Sequence, residues 1–374
     1  MKIALLSSAS SIHTVQWAQW LNKAGHEIHI ISQHPLTESL MQGITLHKIP
    51  YRGILGYFTM VPRVKKILKQ IKPDIVNAHY ASGYGTTARV VNYQPWLLSV
   101  WGSDVYDFPY TSPLHKWLVK TNLYAANAVA STSVCMAKQT RIIAPKLKDI
   151  AITPFGVDIQ IYRNVKPAFA HNNKQIVVGT VKTMASKYGI DILIEAFAIL
   201  FKRFQKSDKN IADRLTLRLV GDGPEIKQYK QQVERLKISN RVEFVGRVPH
   251  SQVPQELAKF DIFAALSRLD SESFGVAVIE ASATARPVVV SDVGGLPEVV
   301  LANKTGFIVP REDSQAAAVA LEKLVLNPKL RQRVGLAGRG HVEKTYNWPR
   351  CVEQMVKVYS GVVSSYKLAY NKAK

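Results

Sequence analysis

The chain begins with a short apolar run at residues 2–6 (KIALL), followed by the small polar residues Ser7, Ser8, Ser10 and Ser11. Val15, Ala18 and Leu21 then recur at helical spacing until Gly25, which suits a helix C-cap, and EIHIIS at 27–32 supplies a second apolar run. This strand–helix–strand pattern resumes at 74–78 (DIVNA), 97–100 (LLSV), 128–131 (AVAS) and 150–155 (IAITPF). A polar stretch, HNNKQ at 171–175 with Pro167 just before it, predicts an interdomain linker. The pattern then restarts with strands at 176–181, 215–221, 242–246, 261–265, 287–291 and 306–309, and with helices at about 189–204, 225–236 and 274–284. Val352, Met355, Val356, Tyr359 and Val363 predict a last helix. The fold class expected is α/β: two doubly wound, largely parallel Rossmann-like domains facing across a cleft, at 1–165 and 166–347. Residues 348–374 are expected to form that terminal helix. Two successive units of similar size do not suit a single eight-stranded barrel.

Composition agrees with a folded chain. Of 374 residues, 47% are hydrophobic and 20% charged, enough apolar material for sizeable cores and unlike a disordered sequence. Cys135 and Cys351 are the only cysteines, which excludes a disulfide scaffold and a cysteine-based metal cage. The amino-terminal stretch lacks the features of a signal peptide, and no apolar run reaches the roughly 18 residues of a membrane span. A cytoplasmic protein is expected.

The net charge of +22 favours polyanionic surroundings: phosphates, acidic lipid or nucleic acid. No zinc finger, Walker lysine motif or aromatic RNA-binding strand accompanies it, and the excess is spread over both halves, so no specific nucleic-acid partner is expected. One dense cluster, VPRVKKILKQIKP at 61–73, alternates apolar residues with Arg63, Lys65, Lys66, Lys69 and Lys72. It has two readings: a basic helix resting on an anionic membrane surface, or a helix packed on its own sheet with its lysines in water.

Two stretches carry the chemistry. In 271–300 (SESFGVAVIEASATARPVVVSDVGGLPEVV), Glu272 precedes a helix-like segment that contains Glu280. Eight residues at about 100° each leave these carboxylates roughly 80° apart, so spacing alone does not make them an acid–base pair. With Ser273, Phe274 and Gly275, Glu272 can instead present a carboxylate to sugar hydroxyls and backbone amides to phosphate. The other stretch, 179–189 (GTVKTMASKYG), is a turn after a strand whose Lys182 and Lys187 can neutralise a diphosphate. Gly221-Asp222-Gly223-Pro224 is a sharp turn after the next strand.

On these motifs the chain resembles the retaining glycosyltransferases of family 4, the group 1 type with the two-Rossmann GT-B fold, over essentially its whole length. The match includes Arg286-Pro287-Val288-Val289 and Gly294-Gly295-Leu296-Pro297-Glu298. The resemblance implies that the helix at 348–374 crosses back to the first domain. It implies Glu272 at the donor-sugar hydroxyls and Glu280 at the nucleoside ribose. It implies Lys182 and Lys187 at the leaving diphosphate, with Lys182 standing where arginine is usual. Gly221 and Gly223 would shape the nucleotide pocket, and Gly246 and Arg247 would border the base. The implied reaction moves a sugar from a nucleotide diphosphate sugar, UDP-linked, to a glycan or lipid-linked acceptor in cell-surface polysaccharide synthesis, at the inner face of the cytoplasmic membrane. A small soluble acceptor is the alternative. No cofactor is expected: no Asp-x-Asp metal pair accompanies the motif, and the lysines would replace a divalent ion. A phosphorylase would need a longer chain, a sugar-nucleotide epimerase does not suit the stretch from Glu272 to Glu298, and a non-enzymatic nucleic-acid binder lacks its motifs.

The acceptor-side candidates are Ser10, His13, His79, Trp101, Asp104 and Asp158. Ser10 and His13 lie in a loop where many relatives have adjacent glycines. Trp101 replaces a histidine of a His-Gly-x-Asp loop whose Gly102 and Asp104 remain, and an indole stacks on a sugar or fills a core but shuttles no proton. His79 follows a strand and is read as a ligand contact or as a hydrogen-bonded structural histidine. Asp158, in the Phe-Gly-Val-Asp turn, either approaches the crevice or caps that turn.

Overall fold

A computed structural model of the chain describes residues 1–51, 53–147, 149–165 and 175–373. Pro167 and the stretch 171–174, predicted as the linker, lie outside the described residues. The chain divides into two compact units, Met1–Phe155 with Trp348–Lys374, and Gly156–Asn347.

In the first unit, strands β1 (Lys2–Leu6), β2 (Glu27–Ser32), β3 (Ile44–Lys48), β4 (Ile75–His79), β5 (Trp96–Val100), β6 (Ala128–Ser131) and β7 (Ile150–Ile152) form one parallel sheet in the order β3-β2-β1-β4-β5-β6-β7. The inner strands β4 and β5 are buried at every residue, the polar Asn77, His79 and Ser99 included, so they show no alternation of buried and exposed positions. The edge strand β3 escapes hydropathy reading. Its ITLHK is at best half-buried, and pairing of Ile28 with Ile44 and Ile30 with Leu46 places it. β7 ends earlier than the apolar run 150–155 suggests, because Pro154 has no N–H to continue the ladder.

The basic cluster forms the helix Val61–Ile71. Val61, Val64 and Leu68 belong to the core of the first unit, while Arg63, Lys65, Lys66 and Lys69 are exposed. Ile67 and Ile71 pack against the same core, so the apolar face turns inward and the basic face outward. The last helix, Trp348–Ala373, belongs to the same unit: Asn77 on β4 donates to the Tyr359 hydroxyl at 2.8 Å, and Trp348 meets Trp17 edge-on at 5.0 Å.

The second unit has strands β8 (Ile176–Val181), β9 (Leu215–Val220), β10 (Val242–Gly246), β11 (Ile262–Ala265), β12 (Val288–Ser291) and β13 (Gly306–Val309), all parallel, in the order β10-β9-β8-β11-β12-β13. Helix Ile190–Ser207 covers this sheet with Ile190, Leu193, Ile194, Phe197, Phe201 and Phe204, a stripe at three- and four-residue spacing. Each such side chain contributes about 1.5–3 kcal/mol on burial. The helix stops at Asp208, which turns extended and caps the next helix by accepting from the Ile211 amide at 3.2 Å.

In each sheet the chain runs outward to one edge and returns to the other side of its first strand. The order therefore reverses between β1 and β4 in one unit and between β8 and β11 in the other. Loops at the carboxyl ends of such neighbouring strands diverge, and the crevice between them is where open α/β sheets take ligands.

Candidate active site

Lys182 is the first residue after β8. Its amide donates to the Val220 carbonyl at 3.0 Å, tying it to the end of β9. Gly221, next along, has φ +135°, and a Cβ there would lie 1.8 Å from the Lys182 carbonyl oxygen, so only glycine permits this approach. The Lys182 ammonium donates to both carboxylate oxygens of Glu272, at 2.8 and 2.7 Å. With side chains 12% and 9% exposed, this is a part-buried pair. Ser267 Oγ adds a longer hydrogen bond to Glu272 Oε2 at 3.4 Å. Lys187 lies one turn further on, its ammonium 4.9 Å from the centre of the Tyr188 ring; the Lys182 ammonium is 4.7 Å from the same ring. The turn that carries Lys187 is held from β11 by Arg268. The Arg268 amide donates to the Lys187 carbonyl at 3.0 Å, and its guanidinium donates to the Ser186 carbonyl, Asp191 and Glu312 at 2.6, 2.7 and 3.1 Å.

The Glu272 backbone is fixed as firmly as its side chain. The Gly295 amide donates to the Glu272 carbonyl at 2.9 Å, and the Gly294 amide to Asp270 Oδ1 at 3.0 Å. Ser273 and Phe274 are buried, with Phe274 edge-on to Tyr346 at 5.6 Å, and Gly275 opens helix Val276–Ala283. Glu280 rides on that helix in a separate setting, its Oε1 2.9 Å from His250 Nε2. Burial, and then the neighbouring Glu280 carboxylate, push the Tyr162 phenol above its usual range. The two glutamates thus have different partners and form no acid–base dyad. Gly223 lies against the Met184 backbone, the Gly221 amide donates to the Gly246 carbonyl at 2.8 Å, and Arg247 beyond it is exposed.

In the first unit, His79, Trp101, His13 and Phe155 form an aromatic cluster at the carboxyl ends of β4 and β5. His79 lies 4.1 Å from Trp101, and His13 stacks on Phe155 at 4.2 Å. His79 Nδ1 is 2.9 Å from Ser7 Oγ, and burial lowers its pKa to about 3, so the imidazole is neutral at ordinary pH. Trp101 is 8% exposed. Asp104 is occupied by the backbone, accepting from the Ala81, Gly102 and Trp101 amides at 2.7, 2.8 and 3.1 Å while burial raises its pKa. Ser10 is exposed, with its hydroxyl 2.8 Å from that of Ser8. Asp158, at the start of the second unit, caps helix Ile159–Arg163 by accepting from the Gln160 and Ile161 amides at 3.1 and 3.4 Å.

Sequence reading did not single out Tyr188, Arg268, His250, Ser267 or Tyr162. Adjacency to Lys187 is the one signal for Tyr188, and the others reach the site only through tertiary contacts. Among the described residues no group of three or more His, Cys, Asp or Glu is placed to hold a metal ion, and no helix is long and apolar enough to cross a membrane.

Comparison with known proteins agrees with this architecture. Residues 2–133 match the model of the glycosyl transferase 4-like family, and residues 162–341 that of the glycosyl transferases group 1. N-acetyl-alpha-D-glucosaminyl L-malate synthase of Bacillus anthracis is 22% identical over 372 residues, covering 95% of this chain and 94% of the relative. Sucrose-phosphate synthase of Thermosynechococcus elongatus superposes with a TM-score of 0.82 at 20% identity, over 98% of this chain and 100% of that one. Anabaena HepE, solved with UDP and glucose, superposes with a TM-score of 0.78 at 20% identity, over 96% and 99% of the two chains. With each Rossmann-like unit matched by its own family model and the fold matched end to end, the chain belongs to the group 1 glycosyltransferases of GT-B fold and is a sugar-transferring enzyme.

Proposed function

We propose that the chain transfers a hexosyl group from a UDP-linked sugar to an acceptor hydroxyl with retention of anomeric configuration. The observation that carries this reading is the convergence of Lys182, Lys187 and Glu272 on the carboxyl ends of β8 and β11, where the strand order reverses. In this reading the unit Gly156–Asn347 holds the donor and the unit beginning at Met1 shapes the acceptor side. Glu272 accepts hydrogen bonds from the sugar hydroxyls, and Glu280 from the ribose. Gly221, Gly223, Arg247, Ser273, Phe274 and Gly275 line the nucleotide and phosphates. As the bond from the anomeric carbon to the phosphate oxygen breaks, negative charge grows on the departing diphosphate, and ammonium groups already in place stabilise that charge without reorganisation. The new bond forms on the same face of the sugar, and the acceptor proton passes to the leaving phosphate oxygen. Lysine supplies the countercharge, so no metal takes part.

For the acceptor, the alternative of a small soluble molecule is better supported than a polysaccharide. Two relatives matched over nearly their whole length are named for L-malate and for sucrose phosphate. A second reading, a lipid-linked saccharide met at the inner face of the cytoplasmic membrane, is favoured by one observation. Helices Val61–Ile71, Gly83–Val91, Pro113–Ala125 and Val134–Ile143 of the first unit carry nine Lys or Arg and not one Asp or Glu, beside exposed Ile54, Leu55, Leu114 and Trp117.

A panel of UDP- and GDP-sugars, with release of the nucleoside diphosphate as the signal, is the test. Hydroxy acids and sugar phosphates serve as acceptors, with and without anionic vesicles carrying lipid-linked sugars. Turnover on soluble acceptors alone supports the first reading, and turnover that needs the vesicles supports the second. Release from no donor with any acceptor overturns both.

A further inference from the structure

We propose that His250 is the positioning residue of Glu280, and that the bond between them makes the donor site selective for a nucleotide with free ribose hydroxyls. The inference rests on the reading of Glu280 as the ribose carboxylate and adds to it a residue from another loop.

The two residues come from different parts of the second unit. His250 lies in the connection that leaves edge strand β10 and passes β9 and β8 to reach β11, whereas Glu280 rides on helix Val276–Ala283, between β11 and β12. The turn that carries His250 is anchored. The Gln252 amide donates to the Pro249 carbonyl at 2.9 Å, and Val253, Pro254 and Leu257 just beyond it are buried. Helix Val276–Ala283 is buried at every residue from Val278 onward, so the backbone that carries Glu280 is fixed as well.

Burial gives the contact its weight. The Glu280 side chain is 9% exposed, and among the described residues no Lys or Arg pairs with it; His250 Nε2 stands 2.9 Å from its Oε1. A carboxylate only accepts, so Nε2 is the nitrogen that carries the proton. A carboxylate removed from water needs a donor, and the imidazole N–H supplies one. Because the ring sits on an anchored turn, that bond also sets the direction in which the carboxylate presents its remaining lone pairs. The Tyr162 phenol is a second neighbour, but its hydroxyl has no hydrogen-bond partner among the described residues and gives no fixed direction. Ribose hydroxyls are donors, and a charged acceptor binds them about twice as strongly as a neutral one. Held in place beforehand, Glu280 loses no side-chain freedom when the nucleotide arrives.

Deoxynucleotides separate positioning from a purely structural role, because they lack a hydroxyl that Glu280 would accept from. By calorimetry the parent is expected to bind UDP about tenfold or more tighter than 2′-deoxy-UDP or 3′-deoxy-UDP. His250→Leu should weaken UDP by about that factor and change the weaker analogue by less than about twofold, so that the preference collapses. His250→Gln, whose amide nitrogen takes the place of Nε2, should keep most of the preference. If the leucine variant does not fold, His250→Ala is measured in its place. Equal weakening of UDP and its analogue, or a preference left intact, would overturn the inference, as would a glutamine variant no more selective than the leucine one. Glu280→Ala tests the reading underneath. A parent without the preference, or a Glu280→Ala variant that keeps it, shows that Glu280 is not the ribose carboxylate, and this inference falls with that reading. A parent that binds neither UDP nor GDP sinks the donor reading itself, and one that binds GDP alone is tested in the same way with the deoxy analogues of GDP.

Discussion

Gly294 offers the sharpest test of how the backbone places Glu272. It sits at φ +51°, and a Cβ added there would lie 2.3 Å from the Glu272 carbonyl oxygen and 2.8 Å from that of Asp270. Real Cβ atoms essentially never come closer than 3.0 Å, so Gly294→Ala must open the first contact by about 0.7 Å or more. Both neighbours are main-chain atoms and no rotamer relieves the clash. The left-handed conformation costs a residue with a Cβ roughly 1–2 kcal/mol, and overpacking about 1–3 kcal/mol. A loss of about 2–4 kcal/mol in stability is therefore expected, measured by urea or thermal unfolding. A misplacement on the order of 1 Å at a reacting group costs about a hundredfold, and kcat for sugar transfer should fall by that factor at a temperature where the variant is still folded. Gly340→Ala and Gly361→Ala are the controls. Both lie in helices with open space where a Cβ would go, so turnover should not change and stability should rise by up to about 1 kcal/mol. A folded Gly294→Ala enzyme with kcat within about threefold of the parent would refute the reasoning.

Two further predictions concern groups outside the donor site. Arg286 is fully buried with its pKa lowered to about 10 by burial, and donates to the Phe260, Thr284 and Ala258 carbonyls at 3.1, 2.6 and 2.7 Å. Arg286→Met leaves these acceptors without their donor and should cost about 3–5 kcal/mol in denaturant unfolding, with Arg286→Lys recovering part; an unchanged midpoint in the methionine variant would contradict this. His79 has a folded-state pKa near 3 against 6.5 for the free side chain, so between those values the unfolded chain binds the extra proton. Its contribution is complete above pH 6.5 and is lost as pH falls, by about 2 kcal/mol between pH 6.5 and 5. His79→Gln should flatten the stability–pH curve over that interval, and equal slopes in the two proteins would show that the imidazole is not buried neutral.

Most of the strand positions were legible in the sequence because parallel strands covered on both faces must be apolar at successive residues, and such runs survive without knowledge of their neighbours. The same local logic placed the turns at Lys182–Gly189, Gly221–Pro224 and Glu272–Gly275, since a turn with glycine between a strand and a helix is written in a few adjacent residues. Edge strand β3 was not legible: half-exposed, it carries no apolar run, and its partner strand decides its existence. Amphipathicity of 61–73 gave the helix but not its use, because the pattern that would coat a membrane is also the pattern that covers a sheet. The tertiary structure placed Val61, Val64 and Leu68 of that face in the core of the first unit. Motif spacing likewise named Lys182, Lys187, Glu272 and Glu280 without saying which charge meets which. Lys182 and Glu272 are 90 residues apart, and Tyr188 has no motif of its own. Local sequence determines which chain conformations and which functional groups reach the carboxyl ends of the strands. Only the packing of one loop against another determines which of those groups neutralise each other and which remain available to a ligand, because electrostatic pairing depends on distance through space and burial rather than on separation along the chain.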